Sequence, residues 1–310
     1  MNKRILGKTG IEVSEIGFGA WAIGGNKYGY SYGSTNDEES VQAIKKALDL
    51  GCNFFDTADI YGFGHSEELL GETLKYVRKK IILATKAGIN FSKGFTQSDF
   101  SEKYIRFALK QSLKRLHTDY IDIYQLHNPS LNLIKKGKIF SILHKLKAEG
   151  QIRAIGLSIL EDEEGIIAIN NGFIDCLQVG YNILNRKAEK KLFDLALSEE
   201  IGVIAREPLY NGLLTGKYSA EHKFEKGDVR AKWQELYFKQ LLEIVQKIKY
   251  ILEKKQRSTA QACIQFVLRQ PVVSTVITGI KTAEQAFENF NAASVENITL
   301  NEIEKIFQPS

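Results

Sequence analysis

Apolar and polar positions along the 310 residues follow two different rhythms. Short, nearly unbroken apolar runs occur at 16–18, 53–55, 81–84, 120–126, 152–157, 176–179, 203–205 and 275–277. Runs this short and continuous suit strands buried on both faces, as in a parallel sheet. Longer stretches of helical period lie between them. Val41, Ile44, Ala47 and Leu48 share one face, and Gly51 follows as a C-terminal stop. Tyr104, Ala108, Leu109, Leu113 and Leu116 form a second face, and Ala262, Phe266 and Leu268 a weaker third. Capping boxes are expected at Thr35–Glu38, Ser258–Gln261 and Thr282–Gln285. Eight strands, nearly all followed by a helix, predict a closed α/β architecture, the (β/α)₈ TIM barrel. Residues 4–6 and 10–13 read as a β-hairpin preceding the first barrel strand. About fifty residues, 207–257, separate strand 7 from helix 7, so an extra helical insertion is expected there, helical near 232–255. With no repeat, linker or low-complexity tract, residues 1–310 read as one domain.

Composition narrows the class. A 44% apolar and 25% charged chain has enough apolar surface to fold, which excludes a disordered tail. Its 42 basic and 37 acidic residues leave +5, spread along the chain. That mild balance supports a small anionic ligand no less than nucleic acid; the partner expected is a small molecule, with no nucleic acid. No run approaches the ~20 apolar residues of a membrane span, so no membrane partner is expected. Three cysteines with no paired spacing, and a start broken by Gly and Lys, read as a cytoplasmic protein.

In such a barrel, chemistry gathers where strands end. Three consecutive strands finish on Asp56, Lys86 and His127, and Tyr61 lies just beyond Asp56. Singly, each has a plain reading: a loop tie for Asp56, a rim charge for Lys86, a structural ring for His127, packing for Tyr61. Together they make an acid–base set. A free phenol titrates near pH ~10, and an adjacent ammonium is expected to lower that value. A drop of two to three units needs about 3–4 kcal/mol, feasible where water is excluded. Asp56, Asp59 and His65 match no strong metal-ligand spacing, so no metal is expected.

The run from Asn53 to Gly62, N-F-F-D-T-A-D-I-Y-G, resembles the signature of the aldo-keto reductase family. The resemblance continues with Gly64, Ser66-Glu67, Gly71, Ala84-Thr85-Lys86 and the stretch from Asp119 to His127. It recurs at Gly156-Leu157-Ser158, Gln178 to Asn182 and Gly212 to Tyr218, and reaches Glu288-Asn289. The family implies a nicotinamide-dependent carbonyl reductase on this barrel, with Asp56, Tyr61, Lys86 and His127 as its tetrad.

The glycine fingerprint of a Rossmann domain is absent, since Gly17-Phe18-Gly19 and Gly62-Phe63-Gly64 lack the third glycine. The cofactor is therefore expected on the barrel rim. The resemblance implies that Ser158 and Gln178 hold the nicotinamide carboxamide, although Ile159 stands where many relatives carry Asn. Arg206 replaces a common aromatic; its guanidinium can stack, or pair with Glu207. Ala20 and Trp21 correspond to ribose and substrate contacts. Pro208, Leu209, Gly212 and Lys217 would pass over the pyrophosphate, and Gly279, Lys281, Gln285, Glu288 and Asn289 would meet the adenosine end. Thr278 replaces a usual proline, and Gln285 stands where NADP-selective relatives have Arg. The reading is an enzyme reducing an aldehyde or ketone with NADPH (as NADP⁺ when oxidised), with NADH as the alternative cofactor. A non-catalytic nucleotide-sensing subunit on the same barrel is the rival.

Overall fold

A computed structural model describes residues 1–28, 31–254 and 256–308. Gly29, Tyr30, Lys255, Pro309 and Ser310, all within the expected 1–310 span, lie outside the described residues. The eight expected strands form in order: β1 Ile16–Gly19, β2 Phe54–Asp56, β3 Ile82–Ala87, β4 Ile121–His127, β5 Ile152–Ser158, β6 Cys176–Gly180, β7 Gly202–Arg206 and β8 Val273–Gly279. They are parallel, each beside its chain neighbour, and β8 pairs with β1 to close the barrel. Around them run α1 Asp37–Asp49, α2 His65–Leu74, α3 Glu102–Arg115, α4 Leu131–Lys136, α5 Lys138–Ala148, α6 Asp162–Asn170 and α7 Leu192–Ser198. The set continues with α8 Glu235–Leu252, α9 Thr259–Leu268, α10 Ala283–Phe290 and α11 Leu300–Phe307.

The apolar periodicity explains the layers. Alternate strand residues Phe54, Ile82, Ala84, Ile123, Ala154, Cys176, Ile204 and Ile277 fill the barrel, and Leu6, Ile11 and Val13 join that cluster. They come from the expected hairpin, Lys3–Ile5 with Glu12–Ser14, which closes the end where strands begin. Outward strand residues pack on the helices' apolar faces, among them Ala43, Ile44 and Ala47 of α1 and Ala108 and Leu109 of α3.

Two of the three caps differ in detail from expectation. Asn36, not Thr35, caps α1, accepting from Glu39 N at 3.1 Å, because Asn36 takes the extended conformation a cap requires. Thr282 caps α10, but Gln285 Oε1 reaches past it to Lys281 N at 2.8 Å. Ser258 and Gln261 form the complete box that starts α9. The 207–257 insertion opens with 3₁₀ turns at Leu213–Thr215 and Val229–Lys232, then forms α8, ending before the expected 255. A small hairpin, Ile89–Asn90 with Gln97–Ser98, projects from the β3–α3 connection and had no signal in the apolar pattern.

Candidate active site at the strand ends

Strand register assembles the site. Gly19 lies beside Asp56, Lys86 beside Gln125, and His127 beside Ser158, so polar groups collect at the carboxyl ends of β2 to β6. Lys86 is fully buried, and its ammonium donates to Asp56 Oδ1 at 2.6 Å, Thr57 O at 2.9 Å and Tyr61 Oη at 3.3 Å. Asp56 Oδ2 accepts from Gln125 Nε2 at 3.0 Å and Gln178 Nε2 at 2.7 Å. Both carboxylate oxygens are thus held by donors, which a buried carboxylate requires. The His127 ring stands edge-on to Tyr61, centroids 5.9 Å apart. All four sequence-selected residues converge.

Electrostatics follow from burial. Desolvation works against the Lys86 ammonium, but the Asp56 carboxylate and Tyr61 oxygen outweigh it and hold its pKa above the usual lysine value. The imidazole of His127 is pulled down to about 3, first by burial and then by the cations Lys86 and Arg206, so it is neutral at physiological pH. Among the described residues its Nδ1 is buried with no partner, as is Gln125 Oε1. The expectation for Tyr61 is not met here. Burial raises its pKa, Lys86 lowers it, Asp56 raises it, and the net direction is upward. The carboxylate that anchors Lys86 screens the phenol from its charge.

A cavity of about 410 Å³ opens over these groups, walled by Trp21, Ile60, Ile89, Asn128 and Leu160. Through Tyr32, Glu207 and Gly279 it meets a second trough of about 740 Å³. Such a pair of joined spaces suits an extended ligand better than a compact one.

Residues 15–308 match the sequence profile of the "Aldo/keto reductase family". The chain belongs to that family. Aldo-keto reductase YhdN of Bacillus subtilis is 33% identical over 90% of this chain and 85% of its own length. The NADH-specific methylglyoxal reductase of Escherichia coli is 30% identical over 95% and 94% respectively. The holo form of aldo-keto reductase AKR11C1 from Bacillus halodurans superposes with a TM-score of 0.82 at 30% identity, covering 99% of this chain and 95% of that one. This aldo-keto reductase is therefore an oxidoreductase of the nicotinamide-dependent type.

The residues present fit a dinucleotide. Ser158, Gln178 and Arg206 line the cavity over the tetrad residues with Trp21. Pro208, Leu209, Gly212, Lys217, Lys281, Gln285, Glu288 and Asn289 line the trough, and Gly279 lines both. Lys217, Arg230 and Lys281 supply cations along it. Ala20 is not brought to either wall. It is fully buried, and its carbonyl accepts from Ser66 Oγ at 2.8 Å. The 3₁₀ turn Ala20–Ile23 faces Ala20 inward and puts Trp21 and Ala22 on the rim. Arg206 pairs with Glu207 and donates to Ile159 O at 3.1 Å. Lys281 Nζ donates to Tyr32 O at 2.6 Å and Ser34 O at 2.9 Å, so it ties the first βα loop to the rim. Sequence reasoning passed over Gln125, Asn128 and Tyr32, and named Glu207 only as a possible partner of Arg206, the pairing that forms. Gln125 was detectable as an amide within the buried strand β4, a costly placement without a partner. Tyr32 and Glu207 carried no such mark.

Proposed function

We propose that this enzyme reduces an aldehyde or ketone to an alcohol, preferring NADPH, with the proton donated by Tyr61. The observation that carries the reading is the buried ammonium of Lys86, in reach of both Asp56 and Tyr61 at one end of a cavity. Bound nicotinamide would supply the hydride from its C4. Tyr61 Oη gives its proton to the carbonyl oxygen, and Lys86 stabilises the phenolate that results. Asp56 holds Lys86 in place. His127, neutral, offers an N–H to the same oxygen and orients it. Gln178 commits its amide N–H to Asp56, which leaves its carbonyl end for the nicotinamide amide. Ser158, whose hydroxyl donates to Asn128 Oδ1 at 3.1 Å, accepts beside it.

The NADPH preference rests on Lys281, with Lys217 toward the pyrophosphate and Glu288 and Asn289 toward adenine. Lys281 spends two of its three N–H donors on loop carbonyls. Burial, then the Arg230 charge, lower its pKa. Its contribution to a 2′-phosphate is therefore small, about 1–2 kcal/mol with helix amides included. We read residues 1–310 as a single barrel domain. Three buried, unpaired cysteines suit a reducing cytoplasm. Among the described residues no helix is long and apolar enough to cross a membrane. The test is NADPH oxidation on mixing the purified protein with a panel of aldehydes. Turnover with at least one supports the reading. Tight NADPH binding without turnover on any of them would favour the sensing subunit.

A further inference from the structure

We propose that Asn128 is a further cofactor contact, its side-chain amide N–H donating to the carboxamide oxygen of bound nicotinamide. The inference rests on the reductase reading above, in which Ser158 and Gln178 meet that carboxamide and its oxygen has no partner. A carboxamide carries N–H donors and a carbonyl acceptor, so a complete site needs acceptors and a donor. Gln178 turns its Nε2 to Asp56 at 2.7 Å, and Ser158 donates its hydroxyl to Asn128 Oδ1 at 3.1 Å. Both therefore meet the ligand as acceptors. A carboxamide oxygen taken from water and left without a donor would cost affinity.

Ile159, next after Ser158, offers no donor. It is buried, its backbone N–H is spent on Gln178 O at 3.1 Å, and its side chain packs toward Gly165 of α6. Arg206 directs its terminal nitrogens to Glu207 and Ile159 O. Tyr32 donates to Asn211 Oδ1 at 2.7 Å. Asn128 is placed for the role by strand register. His127 pairs with Ser158 across β4 and β5, so the next residue emerges beside the Ser158 hydroxyl. Its backbone N–H donates to Ser158 O at 3.0 Å. Its φ of 53° is left-handed, a conformation Asn adopts more readily than most residues other than glycine. That turn sets the amide on the cavity wall with Oδ1 on Ser158. Nδ2, at the other corner of the same planar group, has no partner among the described residues. The amide thus fixes the Ser158 hydroxyl as an acceptor and presents a donor next to it.

The experiment titrates NADPH and its thionicotinamide analogue into the purified protein, without aldehyde, for the wild type and two variants. The analogue carries sulfur in place of the carboxamide oxygen, a weaker hydrogen-bond acceptor. Asn128→Gly keeps the left-handed turn accessible to the backbone and removes the amide. Asn128→Asp keeps the shape and puts an acceptor where the donor stood. The NADPH dissociation constant should rise about five- to tenfold for Asn128→Gly, and further for Asn128→Asp. The analogue makes little of this bond in the wild type, so Asn128→Gly should weaken it by less than about twofold. Equal losses for both ligands would show that Asn128 acts only through its turn, and would overturn the proposal. An unchanged NADPH constant with a raised KM for aldehyde would give Asn128 to the substrate and overturn it as well. The reductase reading is judged separately, by turnover. A wild type that reduces no aldehyde, yet shows this affinity pattern with its variants, contradicts that reading and supports the Asn128 contact.

Discussion

Two buried ion pairs in this barrel each join a cation to a carboxylate, in different surroundings. On the rim, Lys86 meets Asp56; behind the barrel, Arg257 meets Glu302 and anchors α11. Arg257 also donates twice to Leu252 O and once to Glu296 O. Glu302 Oε2 accepts from Thr299 N and Oγ1, completing the cap of α11. The polar atoms of both members of that pair are bonded to the protein. Around Lys86, by contrast, the bonding is incomplete. Among the described residues His127 Nδ1 and Gln125 Oε1 lack partners, and Tyr61 receives from Lys86 beside an open cavity. Full satisfaction makes a tether; the rim pair instead carries groups with bonding capacity left, His127 among them at the cavity wall, as a reactive site requires.

The largest expected effect breaks the tether. Arg257→Met leaves Glu302 partly buried beside Lys254, and should cost about 3–5 kcal/mol in stability, read by denaturant titration. The kcat of the protein that remains folded should not move. The pH dependence has a fixed sign. Burial alone would raise the Glu302 pKa, but Arg257, Thr299 and Lys254 outweigh it and hold it down to about 2. A depressed folded-state pKa gives stability that is present above the unfolded value of ~4.3 and lost as pH falls toward 2. The penalty of Arg257→Met should therefore shrink in acid.

Lys86→Met is the counterpart on the rim. Turnover should fall at least ~100-fold, about 3 kcal/mol, and folding stability should fall too, because Asp56 is left buried without its cation. Adding Asp56→Asn should cost much less than the product of the two single losses, since the residues act as a unit. Fully multiplicative losses would separate them.

Protonation sharpens the contrast further. Reduction needs the Tyr61 proton, and its pKa lies above the ordinary phenol value of ~10. The reduction rate should hold level across neutral and mildly alkaline pH and fall only as that higher value is passed. His127, at about 3, adds no inflection near pH 6.5. An inflection there would assign the imidazole a charge that its burial opposes. The smallest effect concerns Lys281→Ala. It should remove most of a roughly tenfold NADPH preference, about 1.4 kcal/mol, with the NADH dissociation constant unchanged. Equal losses for both cofactors would reduce Lys281 to its tie on the first loop.

The barrel was legible because strands buried on both faces leave uninterrupted apolar runs, and all eight formed where such runs occur. Strand ends then located Asp56, Lys86 and His127 without reference to contacts. What was hidden depends on tertiary placement. Nothing in Glu207 as a residue type announces a left-handed backbone. Ala20 and Ala22 are identical in sequence terms, and only the 3₁₀ turn decides which one reaches the trough. The Tyr61 pKa was argued from its charged neighbours, whereas its direction is set first by burial and then by the balance of Lys86 against Asp56.

The central claim is that Tyr61 is the proton donor of a carbonyl reductase. It is tested most directly by Tyr61→Phe, measured for aldehyde turnover and for NADPH affinity in the same preparation. The account predicts a turnover loss of at least ~100-fold with the cofactor dissociation constant little changed. Near-normal reduction by the phenylalanine variant would contradict it.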